Sequence, residues 1–324
     1  MALVAGAVGC PLRLLAQTAN PNRKIGILWH MAADDPTWRT RFEQFRERLR
    51  ALGWTEGQNF SFDIRHAVGE PNRFVVFARE LVAAKVDVIC VTSAGLAEIA
   101  RQATIRIPII TASAGDLEGS GLVASLRRPG GNVTGMQMLN PELMSKRVEL
   151  LKELVPNLER IGLIEPITPG AIITERYLAV IKDTAKTLGI QVSQVPVRRP
   201  DEFAMAFAKL AREGVQAAII IANPLSAAHR QEVISSAARA RIVTMYEVRI
   251  FAVDGGLVSY GVEGGQLFRG AADYVDKILR GVPVTDLPVQ QATTFELVIN
   301  LKAAKLIGMT VPPSLLSRAD EVIE

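Results

Sequence analysis

The feature that most constrains this chain is a rhythm that runs through it twice. From Asn22 onward, short β-branched runs alternate with amphipathic helical stretches, and the series restarts near Glu142. In the first series, residues 25–29 form an apolar strand pattern. Asp34 and Asp35 offer an N-cap and Pro36 a first-turn proline. Trp38, Phe42, Phe45, Leu49 and Leu52 then recur at helical spacing until Gly53 ends the helix. Residues 60–64 alternate as a half-buried strand and a helix opens at Pro71. Residues 86–91 read as a fully buried strand, 95–103 as a helix and 107–111 as the fourth strand.

The second series repeats the pattern. A helix over 142–155 turns Leu143, Val148, Leu151 and Val155 inward, and a strand covers 160–165. Ile173, Tyr177, Val180, Ala185 and Leu188 mark the next helix. Strands follow at 190–195, 217–222 and 242–245, separated by helices at 201–212 and 226–239. Strands alternating with helices of this length form parallel sheets with helices on both faces. The expected fold class is therefore α/β, with two doubly wound parallel-sheet lobes joined by a three-strand hinge.

The length of 324 residues gives room for two lobes of about 150 residues each. Crossings are expected at 132–136, 257–262 and 285–294. These divide the chain into an N-terminal lobe, 22–132 plus 262–284, and a C-terminal lobe, 133–261 plus 285–324. An amphipathic helix at 266–280 packs back on the first lobe, and 295–307 reads as a helix on the second. Such a hinge lets a ligand drive closure by touching both lobes.

Residues 1–21 stand apart. Ala2 to Val8 contains only alanine, valine, leucine and glycine, and residues 12–16 are again mostly apolar. The stretch is too short to span a bilayer and resembles the apolar region of a secretory signal. The basic segment that normally precedes such a region is absent, so the leader is expected to be truncated by a misplaced start. Cys10 in Ala7-Val8-Gly9-Cys10 faintly resembles a lipid-anchor site. No other segment reaches 18 apolar residues, so a soluble, non-spanning mature protein is expected, and the secretory-like leader places it in the periplasm. Cys90, in an apolar run, reads as a buried hydrophobe.

Charge excludes one class of partner. The 37 basic and 33 acidic residues leave a net charge of +4. The densest basic groups, at 39–50, 127–128 and 198–199, sit beside acids, prolines or turns. They read as solvated faces, so no nucleic-acid partner is expected. The three histidines show no metal-ligand spacing. No nucleophile elbow, Walker A loop or dinucleotide fingerprint occurs, so neither a cofactor nor a catalytic constellation is expected.

Ligands of parallel α/β sheets bind beyond the carboxyl ends of the strands, which selects six loops. Ser93, Ala94 and Gly95 start a helix and can hold a carboxylate, or Ser93 is a plain N-cap. Asp116 can pair with an ammonium group or form a turn. Trp29, Tyr246 and Tyr260 can stack on a ligand or belong to the core. Asn223 can aim its amide at solute or cap a helix. His30, in the loop after Trp29, can touch ligand or is an incidental loop histidine; Ser113 shares the Asp116 loop, and Thr168 lies in the loop 165–170.

Several longer stretches carry a family resemblance. They are LGWTEG at 52–57, SLRRPGGNVTG at 125–135, GGLVSYG at 255–261, TFELVINLK at 294–302, VPPSLL at 311–316 and RADEVIE at 318–324. Together they resemble the ABC-transporter substrate-binding proteins that include the tryptophan/tyrosine-binding (TrpX-like) members. The resemblance spans about Lys24 to Glu324. It implies a type I periplasmic-binding fold, a small-molecule solute, an ABC permease as partner and a monomer working outside the cytoplasmic membrane. Ser93-Ala94-Gly95 and Asp116-Leu117 depart from the family's usual Gly-Thr-Pro and Asp-Pro, which leaves the solute open. An aromatic or other amino acid, or a related carboxylate, is the implied class. An enzyme on the same fold, or a sensing domain for a separate receptor or regulator, is the alternative.

Overall fold

The computed structural model describes residues 22–29, 33–66, 71–138, 141–167 and 175–324. Elements are numbered in chain order. The first sheet contains β1 (Arg23–Trp29), β2 (Phe60–His66), β3 (Val88–Val91), β4 (Ile109–Ala114) and β5 (Val133–Gln137). The short β11 (Gln290–Gln291) joins its far edge, giving the order β11-β5-β4-β3-β1-β2. Helices α1 (Pro36–Ala51), α2 (Pro71–Ala83), α3 (Ala94–Ala103) and α10 (Gly264–Leu279) cover this sheet.

The second sheet contains β6 (Arg160–Pro166), β7 (Gln191–Val197), β8 (Ala217–Ile220), β9 (Val243–Tyr246) and β10 (Val258–Val262). With β12 (Phe295–Asn300) and β13 (Glu321–Ile323) the order is β13-β12-β10-β9-β8-β6-β7. Its helices are α4 (Pro141–Leu154), α5 (Glu175–Thr187), α6 (Glu202–Arg212), α7 (Pro224–Ala228), α8 (Arg230–Ala240), α9 (Arg249–Val253), α11 (Leu301–Leu306) and α12 (Pro313–Leu316). Among the described residues, all strand pairings are parallel except that of β10 with β12.

The doubled rhythm of the sequence is thus a doubled winding, β2-β1-β3-β4-β5 and β7-β6-β8-β9-β10. In each half the strand order reverses beside the first strand, at β1/β3 and at β6/β8. A crevice opens beyond the carboxyl ends at such a reversal. Helices on both faces bury the central strands, and β3 and β8 are buried along their whole lengths.

Three apolar clusters hold the layers. One packs α2 and α3 on the first sheet through Leu28, Phe74, Leu81 and Leu96. A second packs α6 and α8 on the second sheet through Ile164, Phe203, Phe207 and Val233. The largest runs from Trp38, Phe45 and Phe268 of α1 and α10 to Leu143, Leu151 and Ile181 of α4 and α5. It includes Val262, Leu287 and Ala292, so the core is continuous through the crossings.

The structure moves several sequence boundaries. The expected helix at 295–307 is β12 followed by α11. The run Leu297–Val298–Ile299 suits either period, and pairing of Phe295 to Ile299 with β10 decides for strand. Asn300 then caps α11, its Oδ1 accepting from Ala303 N–H at 3.0 Å. The expected helix at 226–239 is two helices that meet at His229. Val133–Gln137, placed at a crossing by the sequence, pairs within the first sheet, as does β11. The chain therefore leaves that sheet after Gln137 and again after Gln291. The leader and the start of the helix marked by Ile173 lie outside the described residues.

Candidate functional site

The two carboxyl edges face one another. Asp35 follows β1 and caps α1, its Oδ1 accepting from Trp38 N–H at 3.1 Å. Its other oxygen lies 4.0 Å from Nη1 of Arg230, the first residue of α8 beyond β8. Arg230 also pairs with Asp254. A cation is disfavoured in the first turn of a helix by the helix dipole. The two carboxylates account for Arg230 being there, one of them from the opposite lobe.

On the first lobe, Ser93 caps α3 through Oγ, which accepts from Leu96 N–H at 3.2 Å. Ala94 and Gly95 occupy the first turn, where amide N–H groups have no intrahelical acceptor. Ser113 Oγ donates to Thr92 O at 2.9 Å, tying the ends of β3 and β4 together. Asp116 is buried and its Oδ1 accepts from Gly119 N–H at 2.8 Å, the turn-forming alternative.

Trp29 is 3% exposed, and its ring centroid lies 4.0 Å from that of Trp38 and 5.2 Å from that of Phe268. The void beside it, among Phe42, Phe45 and Thr92, is about 10 Å³, at the lower limit for one water. Trp29 therefore belongs to the aromatic core beneath the edge. Burial holds the Cys90 thiol well above its ordinary pKa, as a packed hydrophobe should be.

On the second lobe, both ends of the Asn223 amide are used within the protein. Oδ1 accepts from Ser226 N–H at 3.0 Å in a capping box, and Nδ2 donates to Pro166 O at 2.6 Å. Tyr260 is half-buried on β10, with its ring centroid 6.4 Å from that of Phe295. Tyr246 corrects the sequence reading. It is fully buried and stacks on Phe251 at 4.8 Å within the α6–α8 cluster, so it sits on the sheet face covered by those helices, in the core. Burial raises its phenol pKa. His30 and Thr168 lie outside the described residues.

The sequence reading missed the strongest electrostatic feature of this edge. Glu247, next after β9, and Arg147, on α4, are each 3% exposed. Arg147 Nη1 donates to Glu247 Oε1 at 2.8 Å, and Nε donates to Tyr260 O at 2.8 Å. Tyr177 OH also donates to Glu247 Oε1, and Ala222 N–H donates to Oε2 at 2.8 Å. Residues just beyond β8 and β9, the middle of β10 and two helices converge on one buried ion pair. A sequence signal existed, since Arg147 sits four residues from both Leu143 and Leu151 on the apolar face of α4.

A second charged group lies at the crossings. Arg41 of α1 sits over Phe268 at 5.8 Å. Burial lowers its pKa, and the charges of Glu296, Glu263 and Asp35 oppose that shift. Glu263 caps α10, accepting from Gly265 and Gln266 N–H groups at 2.7 Å. Burial raises the pKa of Glu296 on β12, and Arg249 counters it.

Two sheets wound in this way, with facing carboxyl edges and repeated crossings, define a two-lobed type I periplasmic-binding-like protein. The ABC transporter substrate-binding protein family profile matches residues 25–323, and the chain belongs to that family. It is 25% identical over 309 residues to the tyrosine-binding protein of Clostridioides difficile (strain R20291), an alignment covering 93% of this chain and 88% of that one. It resembles the structure of an ABC domain from Streptococcus pneumoniae in complex with L-Trp, with a TM-score of 0.85 and 27% identity. That match covers 93% of this chain and 100% of the other. A conserved domain protein from Vibrio cholerae matches with a TM-score of 0.85 and 28% identity, over 93% and 99% of the two chains. Among the described residues, no helix is long and apolar enough to cross a membrane.

Proposed function

We propose that this protein captures an aromatic amino acid between its lobes, outside the cytoplasmic membrane, and delivers it to the permease of an ABC importer. The similarity to a tyrosine-binding protein and to a domain holding L-Trp, over nearly the whole chain, carries this reading. The chemistry of the edges supports it. The α3 N-terminus suits a carboxylate, and the charged groups of the second edge suit a zwitterion. The lobes divide near Gln137, at the β10–α10 junction and near Ala292, and closing about these strands brings both edges onto the solute.

The test is calorimetric titration and thermal unfolding with L-tryptophan, L-tyrosine and a panel of other amino acids. An aromatic amino acid at a hundred times its dissociation constant should add about 2.7 kcal/mol of stability. No stabilisation by either aromatic amino acid would sink the reading.

Asp35→Asn addresses closure. Asparagine keeps the α1 cap and removes the charge that faces Arg230 and also acts on Arg41. For a partly exposed pair the loss is under about 1 kcal/mol, so the dissociation constant should rise about two- to fivefold at low salt. The gap between variant and wild type should narrow in 0.5 M salt, where the Debye length is only about 4 Å. Equal affinities at low salt would remove Arg230–Asp35 as a contributor to closure.

A further inference from the structure

Arg147 has more donors than its surroundings use. A guanidinium carries five N–H groups. Nε donates to Tyr260 O, and Nη1 reaches Glu247 Oε1 with the Met144 sulfur at 3.2 Å and Tyr177 OH at 3.4 Å. Nη2 has no hydrogen-bond partner among the described residues. The side chain is only 4% exposed. Nη2 itself is not among the fully buried unpartnered atoms, so this gap in the network is open to solvent and to an incoming acceptor.

The gap lies where a solute would arrive. The partners of Arg147 are Tyr260 on β10, Glu247 next after β9 and, through Glu247, Ala222 just beyond β8. Glu247 and Ala222 lie just beyond the carboxyl ends of β9 and β8, and Tyr260 lies at the middle of β10 beside them. Glu247 does not close the gap: Oε1 takes Nη1 and the Tyr177 hydroxyl, Oε2 takes the Ala222 amide, and neither oxygen accepts from Nη2. A planar, permanently charged fork with one open arm is matched best by a carboxylate.

We infer that Arg147 Nη2 is the donor with which the second lobe holds the carboxylate of the bound amino acid. The inference rests on the aromatic amino-acid reading above. Glu247 is then a positioning residue that fixes the guanidinium through Nη1 and leaves Nη2 to the ligand. The N-terminus of α3 is the competing home for that carboxylate, and the test separates the two.

Binding of L-tryptophan and of tryptamine, which lacks the carboxylate, is measured for the wild type and for Arg147→Lys. Lysine keeps the charge opposite Glu247 and loses the fork. A charge-assisted hydrogen bond is worth enough that Arg147→Lys should weaken L-tryptophan at least about tenfold. Tryptamine should change less than about twofold, so the ratio between the two ligands collapses. An Arg147→Lys protein that folds and keeps the wild-type ratio overturns the inference and leaves the carboxylate to α3. If the variant does not fold, a crystal structure of the wild type with L-tryptophan decides. A carboxylate oxygen within hydrogen-bond distance of Nη2 supports the inference, and any other placement overturns it. L-tyrosine and tyramine form the parallel pair if L-tryptophan does not bind. Failure of both amino acids to bind overturns the proposed function and this inference together, whereas binding with an unchanged ratio overturns the inference alone.

Discussion

Replacing Arg147 by methionine is expected to cost about 3–5 kcal/mol of folding stability, because it strands the carboxylate of Glu247 in the protein interior. Methionine fills the slot of the arginine stem without branching, so little of the loss should come from packing. The Tyr260 carbonyl also loses the Nε donor. Glu247→Gln should be costly for the reciprocal reason, leaving a buried guanidinium with no counter-charge. Combining the two changes should cost less than their sum, since the double variant buries no net charge, and a coupling of about 3 kcal/mol is expected between groups 2.8 Å apart. Urea unfolding of the four proteins measures the cycle, with the dependence on urea checked for constancy. Additive effects, or a single change costing under about 1 kcal/mol, would show that water reaches the pair and that it does not organise the edge.

The large frame was legible in the sequence because parallel α/β layers write themselves plainly. Helices such as α1 carry aromatic residues at a 3.6-residue period, and β3 carries only apolar residues. What the sequence hid was decided by pairing. Phe295–Asn300 has no period that separates strand from helix, and only β10 alongside makes it β12. Chemistry at the edge was legible by position more than by role. Ser93, Ser113, Asp116 and Asn223 do lie at strand ends, yet Asp116 forms a turn and Asn223 a capping box. Those roles depend on neighbours within three residues, which the sequence left open as alternatives. The Arg147–Glu247 pair joins residues 100 apart, and no local rule brings them together. Its one local trace is a charged residue on the buried face of a helix.

Gly261→Ala is the second change expected to act strongly, and it acts through backbone alone. A Cβ at Gly261 would fall on the carbonyl oxygen of Glu247 and 2.9 Å from its carbonyl carbon. Neither group can rotate away, because Glu247 is held through its side chain by Arg147, Tyr177 and Ala222. Gly261 is itself paired with Glu296 across β10 and β12. The strand and the turn after β9 must therefore separate, at a cost of about 1–3 kcal/mol or more for overpacking. Gly131→Ala is the matched control, since nothing lies within 4 Å of its Cβ position and its φ is not positive. It should change stability by under about 0.5 kcal/mol. The two variants should also part in binding. Moving Glu247 moves the guanidinium it holds, so Gly261→Ala should weaken L-tryptophan at least about tenfold even in the folded fraction, the loss of one charge-assisted hydrogen bond. A folded Gly261→Ala protein with wild-type affinity would separate the β9–β10 edge from recognition and place the solute on the first lobe.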